Sequence, residues 1–311
     1  MTNRLFTSLR WLFFFIPSLA IAFSPLTAQP GPSFSFNYEY FPYAALENPD
    51  TTPVNGARNF EQDLEIQVGV FHAEFSAPII FGKGATVIVH TLSYDRLELR
   101  YRNWDNEQGG NRIEEAHGLE YTFTLVHQLS DTWNITAVAT PGLHSDFKGT
   151  LSADDFSASS AVIFSRQHSE DLSYGFGAAY AFNFGQAYPI PLLALNWAPG
   201  SKTRLDLLLP AHAEFWYLPS TTFEMGLIAR VSGNQYHGDP DIFAVDNPQM
   251  QYSSGTFGPS VKVHFSERIH LNVDAGYTVL RRFDFSDGSN ELQSLDLENS
   301  GFVRAGLTIG G

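Results

Sequence analysis

What most constrains this chain is a strict period-two alternation from Leu119 to Thr140, interrupted once by a tight polar turn. Leu119, Tyr121, Phe123 and Leu125 alternate with Glu120, Thr122 and Thr124. After Ser130-Asp131-Thr132 the pattern resumes, with Trp133, Ile135, Ala137 and Ala139 against Asn134, Thr136 and Thr140. A strand points successive side chains to opposite faces, so each run has one oily and one polar face, and the two runs form a hairpin. Each run is roughly ten residues long, about what a tilted strand needs to cross a bilayer. Any fold of this chain must therefore give those oily faces either a core or a membrane.

The N-terminus bears on that choice. Arg4 and Arg10 precede an apolar run from Trp11 to Phe23, and Ser24-Pro25-Leu26-Thr27-Ala28 follows. Charged, apolar and small residues in that order are the pattern of an export leader, with the cut expected after Ala28. The run is shorter than the ~20 residues a spanning helix needs. No later stretch approaches a transmembrane helix either, so a form of residues 29–311 that crosses a membrane must do so as a closed barrel. The chain has no cysteine, which excludes disulfides, thiolate metal sites and a lipid-anchored cysteine.

Without Arg4 and Arg10, 16 basic residues (18 minus 2) face 33 acidic ones, a net charge of −17. That balance argues against nucleic acid or an anionic surface as partner. No Pro/Ser-rich break divides residues 29–311, so a single domain is expected.

The alternation recurs along the whole chain. Phe34, Phe36, Tyr38 and Tyr40 open it; Leu64, Ile66, Val68 and Val70 follow, and the phase then changes to Phe71, Ala73 and Phe75, which reads as a bulge or a bend. Pro210 cannot sit inside a ladder and reads as the corner of a brief hairpin. Short turns at Gly82-Lys83-Gly84, Ser169-Glu170-Asp171, Pro199-Gly200-Ser201, Pro219-Ser220 and Ser266-Glu267-Arg268 alternate with longer polar loops. Those loops span residues 104–118, 145–155, 236–251 and 284–300. The reading is an all-β, antiparallel, up-and-down transmembrane barrel of about fourteen strands, with twelve as the alternative; an even number puts both termini at one end.

A soluble sandwich also alternates. It does not account for tight turns gathered at one end and acidic loops at the other, which membrane barrels show. Trp133, Trp197 and Trp216 all lie close to short turns, where an aromatic girdle meets one interface, and Trp104 lies by a long loop. The polar face carries Glu98, Arg100, Glu120, Arg230, Lys262, Asp274 and Arg304, which are expected to line the lumen.

The chain resembles the single-domain outer-membrane β-barrels of Gram-negative bacteria. Tyr188-Pro-Ile-Pro-Leu-Leu-Ala-Leu-Asn-Trp197, followed by Leu205-Asp-Leu-Leu-Leu-Pro-Ala-His-Ala213, is similar to a segment that recurs in barrel families of unknown function. The resemblance implies fold and location: an integral outer-membrane protein in contact with membrane lipid and lipopolysaccharide, and delivered by the barrel-insertion machinery. It implies no activity and no cofactor. Such barrels usually end in an aromatic residue, whereas this chain ends Ile309-Gly310-Gly311.

Three functions fit these residues. A passive barrel would pass small solutes or be filled by its own side chains; fourteen strands lie between packed eight-stranded barrels and open sixteen-stranded ones. About four residues separate Ala28 from the first strand, so no N-terminal plug is expected. A surface-binding barrel would use acidic loops such as Asp239-Pro240-Asp241 and Asp287, Glu291 and Asp296, whose oxygen ligands suit calcium or magnesium without matching a defined loop. A lipid hydrolase would need a serine beside a histidine on the lipid face. Ser165 and His168 fall on opposite faces of a strand, and no nucleophile elbow accompanies His127 or His212. The metal content and oligomeric state are open at this level.

Overall fold

The computed structural model describes residues 31–47, 63–82, 85–103, 113–183, 186–238, 247–288 and 290–310. The expected leader, Trp104 and Asp239-Pro240-Asp241 lie outside them. The strands are β1 (Ser33–Ala45), β2 (Glu65–Phe81), β3 (Thr86–Arg102), β4 (Glu115–Gln128), β5 (Trp133–Ser145), β6 (Phe156–Ser169), β7 (Leu172–Asn183), β8 (Gln186–Trp197), β9 (Thr203–Leu209), β10 (His212–Tyr217), β11 (Phe223–His237), β12 (Pro248–Ser266), β13 (Ile269–Asp287), β14 (Asn290–Asp296) and β15 (Gly301–Gly310).

Consecutive strands pair antiparallel, and β15 pairs with β1, which closes the sheet into a barrel. β14 lies on one half of β13, opposite Arg282–Asp287, and β15 on the other, opposite Ile269–Tyr277. The two share a single place in the wall, so the barrel has fourteen strands. Residues 284–300, read as a loop, are therefore mostly strand. At the end where the longer loops lie, β7–β8 and β9–β10 are also joined by very short connections.

The outer face is apolar. Phe34, Phe36, Phe75, Phe176, Leu193 and Phe215 are exposed there. Trp133 and Trp197 face outward near the turns. Tyr94, Tyr121, Tyr180 and Tyr277 stand seven or eight residues from Thr86, Gln128, Leu172 and Ile269, their strand ends at the turn side. That is roughly 20 Å along the barrel axis, near the ~25 Å height of a lipid-facing band.

Above the tyrosines the polarity reverses. In β3, Leu97 and Leu99 turn inward and are buried, while Arg96, Glu98 and Arg100 point outward. Arg96 pairs with Glu98 at 3.2 Å and with Glu115 at 2.9 Å on that outer surface. The phase change near Phe71 has the same origin. β2 pairs with β3 without a break from Glu65 to Phe81, so no bulge lies there. Ile66, Val68 and Val70 face inward above the belt; Phe71, Ala73 and Phe75 face outward within it. The register shift that does occur falls in β1, between Phe41 and Ala44.

β9 and β10 are short and turn at Pro210, as the sequence suggests. β9 covers β8 only from Leu193 to Trp197, which leaves the rest of β8 paired on one side alone. Pro189 and Pro191 fall on that uncovered stretch. Proline has no N–H, so an edge that carries it presents fewer unpaired donors.

Val273 is 38% exposed, in the middle of the outer band, and Leu125 faces the same way nearer the turns. Arginine at Val273 should cost about 2–4 kcal/mol, and at Leu125 no more than that. Urea titration of the refolded protein in micelles measures both, and a neutral Val273→Arg would refute the assigned facing.

Candidate functional site: the barrel interior

The interior is built from every second residue of each strand, and it is layered. Nearest the turns, Arg204 Nε donates to Asp206 Oδ2 at 2.6 Å, and its guanidinium lies 3.6 Å from Glu224. Glu224 also pairs with His264 Nε2 at 2.8 Å. Lys262 Nζ sits 4.8 Å from the centroid of the Trp216 ring, a cation on an aromatic face.

The next layer is a fixed ion cluster. Arg230 donates to Glu214 Oε1 at 2.9 and 3.2 Å and to Asp274 Oδ2 at 2.8 Å. Asp274 has 0% exposure, and its second oxygen accepts from Ser260 Oγ and Asn272 Nδ2, both at 2.5 Å. Trp216 Nε1 donates to Glu214 Oε2 at 2.9 Å. Arg304 is the cross-strand neighbour of both Glu39 and Asp274. On the far wall, His72 Nδ1 and Asp95 Oδ1 meet at 2.7 Å.

Toward the loops the interior turns apolar. Phe41, Val68, Leu97, Ala116, Tyr236 and Phe283 belong to one buried cluster. Its members come from β11–β15 and β1–β4, which form one continuous arc of the wall. The lumen is crossed where Tyr236 of β11 packs on His144 of β5, with ring centroids 6.0 Å apart, and where His237 pairs with Ser145. Tyr252 and Phe283 have ring centroids 4.8 Å apart, and Arg281 lies over Phe41 at 5.2 Å. A second apolar cluster, which includes Val138, Ile163, Ile190, Leu192 and Leu208, lines the inner face of β5–β9.

Among the residues read as lumen-lining, Glu120, Arg230, Lys262, Asp274 and Arg304 point inward. Glu98 and Arg100 do not; they lie on the outside above the belt, because the interior at that height is apolar. Trp216 is not a girdle residue. It alternates with Phe215 and Tyr217, which face outward, and is 1% exposed inside the barrel. His212 shares its inward parity, whereas His127 faces outward and bonds Thr86 at 2.8 Å. Ser165 points inward and His168 outward. Among the acidic residues offered as cation ligands, Asp296 is held by two bonds from Arg282, at 2.6 and 2.8 Å, and Asp287 caps the Asn247 N–H at 2.9 Å. No group of metal-ligating side chains occurs among the described residues.

Sequence reading missed Glu39, His72, Asp95 and Glu214. Parity was the available signal: each shares a face with residues already singled out or lies directly across a strand from one. Glu39 faces Arg304, and Glu214 alternates with the outward Phe215.

Removing Arg230 leaves the carboxylates of Glu214 and Asp274 buried without their cation. Breaking such a pair from one side costs about 3–5 kcal/mol. Arg230→Ala should lower the urea midpoint of the refolded barrel accordingly, and a loss below ~1 kcal/mol would show that the cluster contributes little.

Solved structures of channels and porins align over most of the chain at low identity. A mutant of the monoaromatic hydrocarbon channel TodX aligns with 94% of this chain and 92% of its own, at 9% identity and a TM-score of 0.48. An outer-membrane channel from Pseudomonas putida F1 aligns over 91% and 96%, at 8% identity and a TM-score of 0.42. The NanC porin aligns over 90% and 100%, at 8% identity and a TM-score of 0.37. None of the curated proteins matches the sequence. The family model described as "Domain of unknown function (DUF6268)" matches residues 25–310, and the chain belongs to that family.

Proposed function

We propose that this protein is an outer-membrane barrel that is closed at rest and does not work as a standing pore. The observation that carries this reading is the contact of β11 with β5 across the lumen, Tyr236 on His144 and His237 beside Ser145, next to the apolar cluster of β11–β15 and β1–β4 and above an ion cluster centred on the fully buried Asp274. An ion on the axis would have to part Tyr236 from His144 and then pass carboxylates already held by Arg230. Either step demands local rearrangement of packed side chains.

The location that accompanies this reading is the outer membrane, reached after a leader ending at Ala28 is removed. The outward apolar band meets lipid, and the acidic loops stand in water beside lipopolysaccharide. Small solutes would pass only if the two layers opened together.

Planar-bilayer recording of the refolded mature chain tests the reading. Insertion without steady conductance is the expected result, verified by protease protection of the same sample. Continuous cation-selective openings would overturn it and make the acidic interior a conducting path.

A further inference from the structure

At the loop end of the inner wall, three strands bring together a serine, a histidine and a glutamate. Glu120 in β4, Gly142 in β5 and Ser157 in β6 are direct cross-strand neighbours, so they form one row. His144 lies two residues beyond Gly142 on the same face. Because Gly142 has no side chain, the imidazole leans back over it and reaches both flanking residues. Its Nδ1 is 2.8 Å from Ser157 Oγ, and its Nε2 is 3.2 Å from Glu120 Oε1. A Cβ at Gly142 would stand 3.0 Å from the imidazole, 3.1 Å from Glu120 and 3.2 Å from Ser157. The gap is therefore what allows the three to meet.

Two further features distinguish this row from ordinary interior hydrogen bonding. Glu120 and His144 are both buried, yet Glu120 Oε2 and His144 Nε2 have no hydrogen-bond partner, the 3.2 Å contact between the two side chains being close but not aligned. Buried polar atoms are normally satisfied, so a pair left open is an exception that calls for a reason. Tyr236 packs edge-on against the imidazole, with centroids 6.0 Å apart, and fixes its plane. The loop that leads into Ser157 is also anchored. Burial pushes the Asp155 carboxyl up, but hydrogen bonds from Ser145, the Ser152 N–H and His237 outweigh it and hold the group below its ordinary value.

We propose that Ser157, His144 and Glu120 form a nucleophile, base and acid relay that hydrolyses carboxylic esters. The order is that of a general triad: a hydroxyl bonded to an imidazole whose other nitrogen faces a carboxylate. Ser157 Oγ attacks the ester carbonyl carbon and its proton moves to His144 Nδ1. The bond to the alcohol oxygen breaks, and that oxygen takes the proton from Nδ1. Water then attacks the acyl-serine by the same route, releasing the carboxylic acid and restoring Ser157. Glu120 exchanges no proton in these steps and faces the Nε2–H of the imidazolium.

The acyl group this site would take is apolar. Below Ser157 the inward side of β6 runs through Ser159 to Ala161 and Ile163, which belong to the apolar cluster of β5–β9. The height also fits. Gly142 lies nine residues beyond Trp133, roughly 23 Å along the axis from the lower aromatic row. Ser157 thus stands at the height of the far interface, on the lumen side of the wall and open to an ester that enters the barrel mouth.

The test is reaction of the refolded protein in micelles with a fluorophosphonate probe, followed by peptide mass spectrometry. Ser157 should be labelled and Ser157→Ala should not, while Ser165→Ala leaves labelling unchanged. His144→Gln and Glu120→Gln should each slow labelling at least tenfold. The wild-type rate should rise with pH, and this rise should vanish in His144→Gln. Folding of each variant is read from its heat-dependent gel mobility. If His144→Gln fails to fold, the wild-type pH profile and the Glu120→Gln rate decide. A folded wild type that leaves Ser157 unlabelled, or a labelling rate flat across pH, would overturn the proposal.

Discussion

The medium outside the wall changes along each strand, while the strand's period of two does not. That mismatch organises the molecule. Within the belt, hydrocarbon requires apolar side chains outside, and the polar set is left to face inward. Above the belt, water lies outside and the same alternation is read the other way. β3 carries both regimes on one continuous strand: Leu92 points to lipid, whereas Leu97 and Leu99 point to the lumen. In β3 no bulge is needed to change face, because the apolar residues themselves change parity; in β13 a register shift opposite Gly255 and Thr256 makes the change instead. The apolar layer across the mouth of the barrel is the direct result.

Below that layer the interior has to accommodate charge without bulk water. A carboxylate as buried as Asp274 is tolerable only if it is paired and all its acceptor sites are used. Arg230, Ser260 and Asn272 do this from three neighbouring strands. Glu214 is treated alike by Arg230 and the Trp216 indole. Mixed charge on the inward face thus reflects mutual satisfaction across strands. A wide water-filled channel would let such groups remain solvated singly, and here they are not. The tryptophan that the sequence places near a turn belongs to this network, since its N–H needs a buried acceptor.

Legibility followed the same physics. The hairpin from Leu119 to Thr140 lies largely within the belt, where both media are constant, and its facing could be read residue by residue. The fourteen-strand closure could be counted from such runs. Glu98 and Arg100 were misplaced because their strand had already left the membrane, a transition that no local pattern marks. Residues 284–300 looked like loop for a related reason: outside the belt, Arg282, Asp284 and Ser286 face water while Phe283 and Phe285 face inward, so the apolar count falls although the alternation persists. Trp216 shows that residue type and nearness to a turn are weaker guides than parity against Phe215 and Tyr217.

The row of Glu120, Gly142 and Ser157 was hidden for a different reason. Each residue is ordinary within its own strand, and their meeting depends on the register between three strands. Two connections set that register, the tight turn at Ser130-Asp131-Thr132 and the anchored loop before Phe156. A slip of one residue in either would send Gly142 or Ser157 to the other face. The same slip would carry Trp133, Ile135 and Ala137 out of the lipid belt, or would turn Phe156, Val162 and Phe164 inward. The apolar demand of the membrane on one side of the wall therefore fixes the polar geometry on the other, and glycines at the two positions the imidazole crosses, Gly118 and Gly142, supply the space.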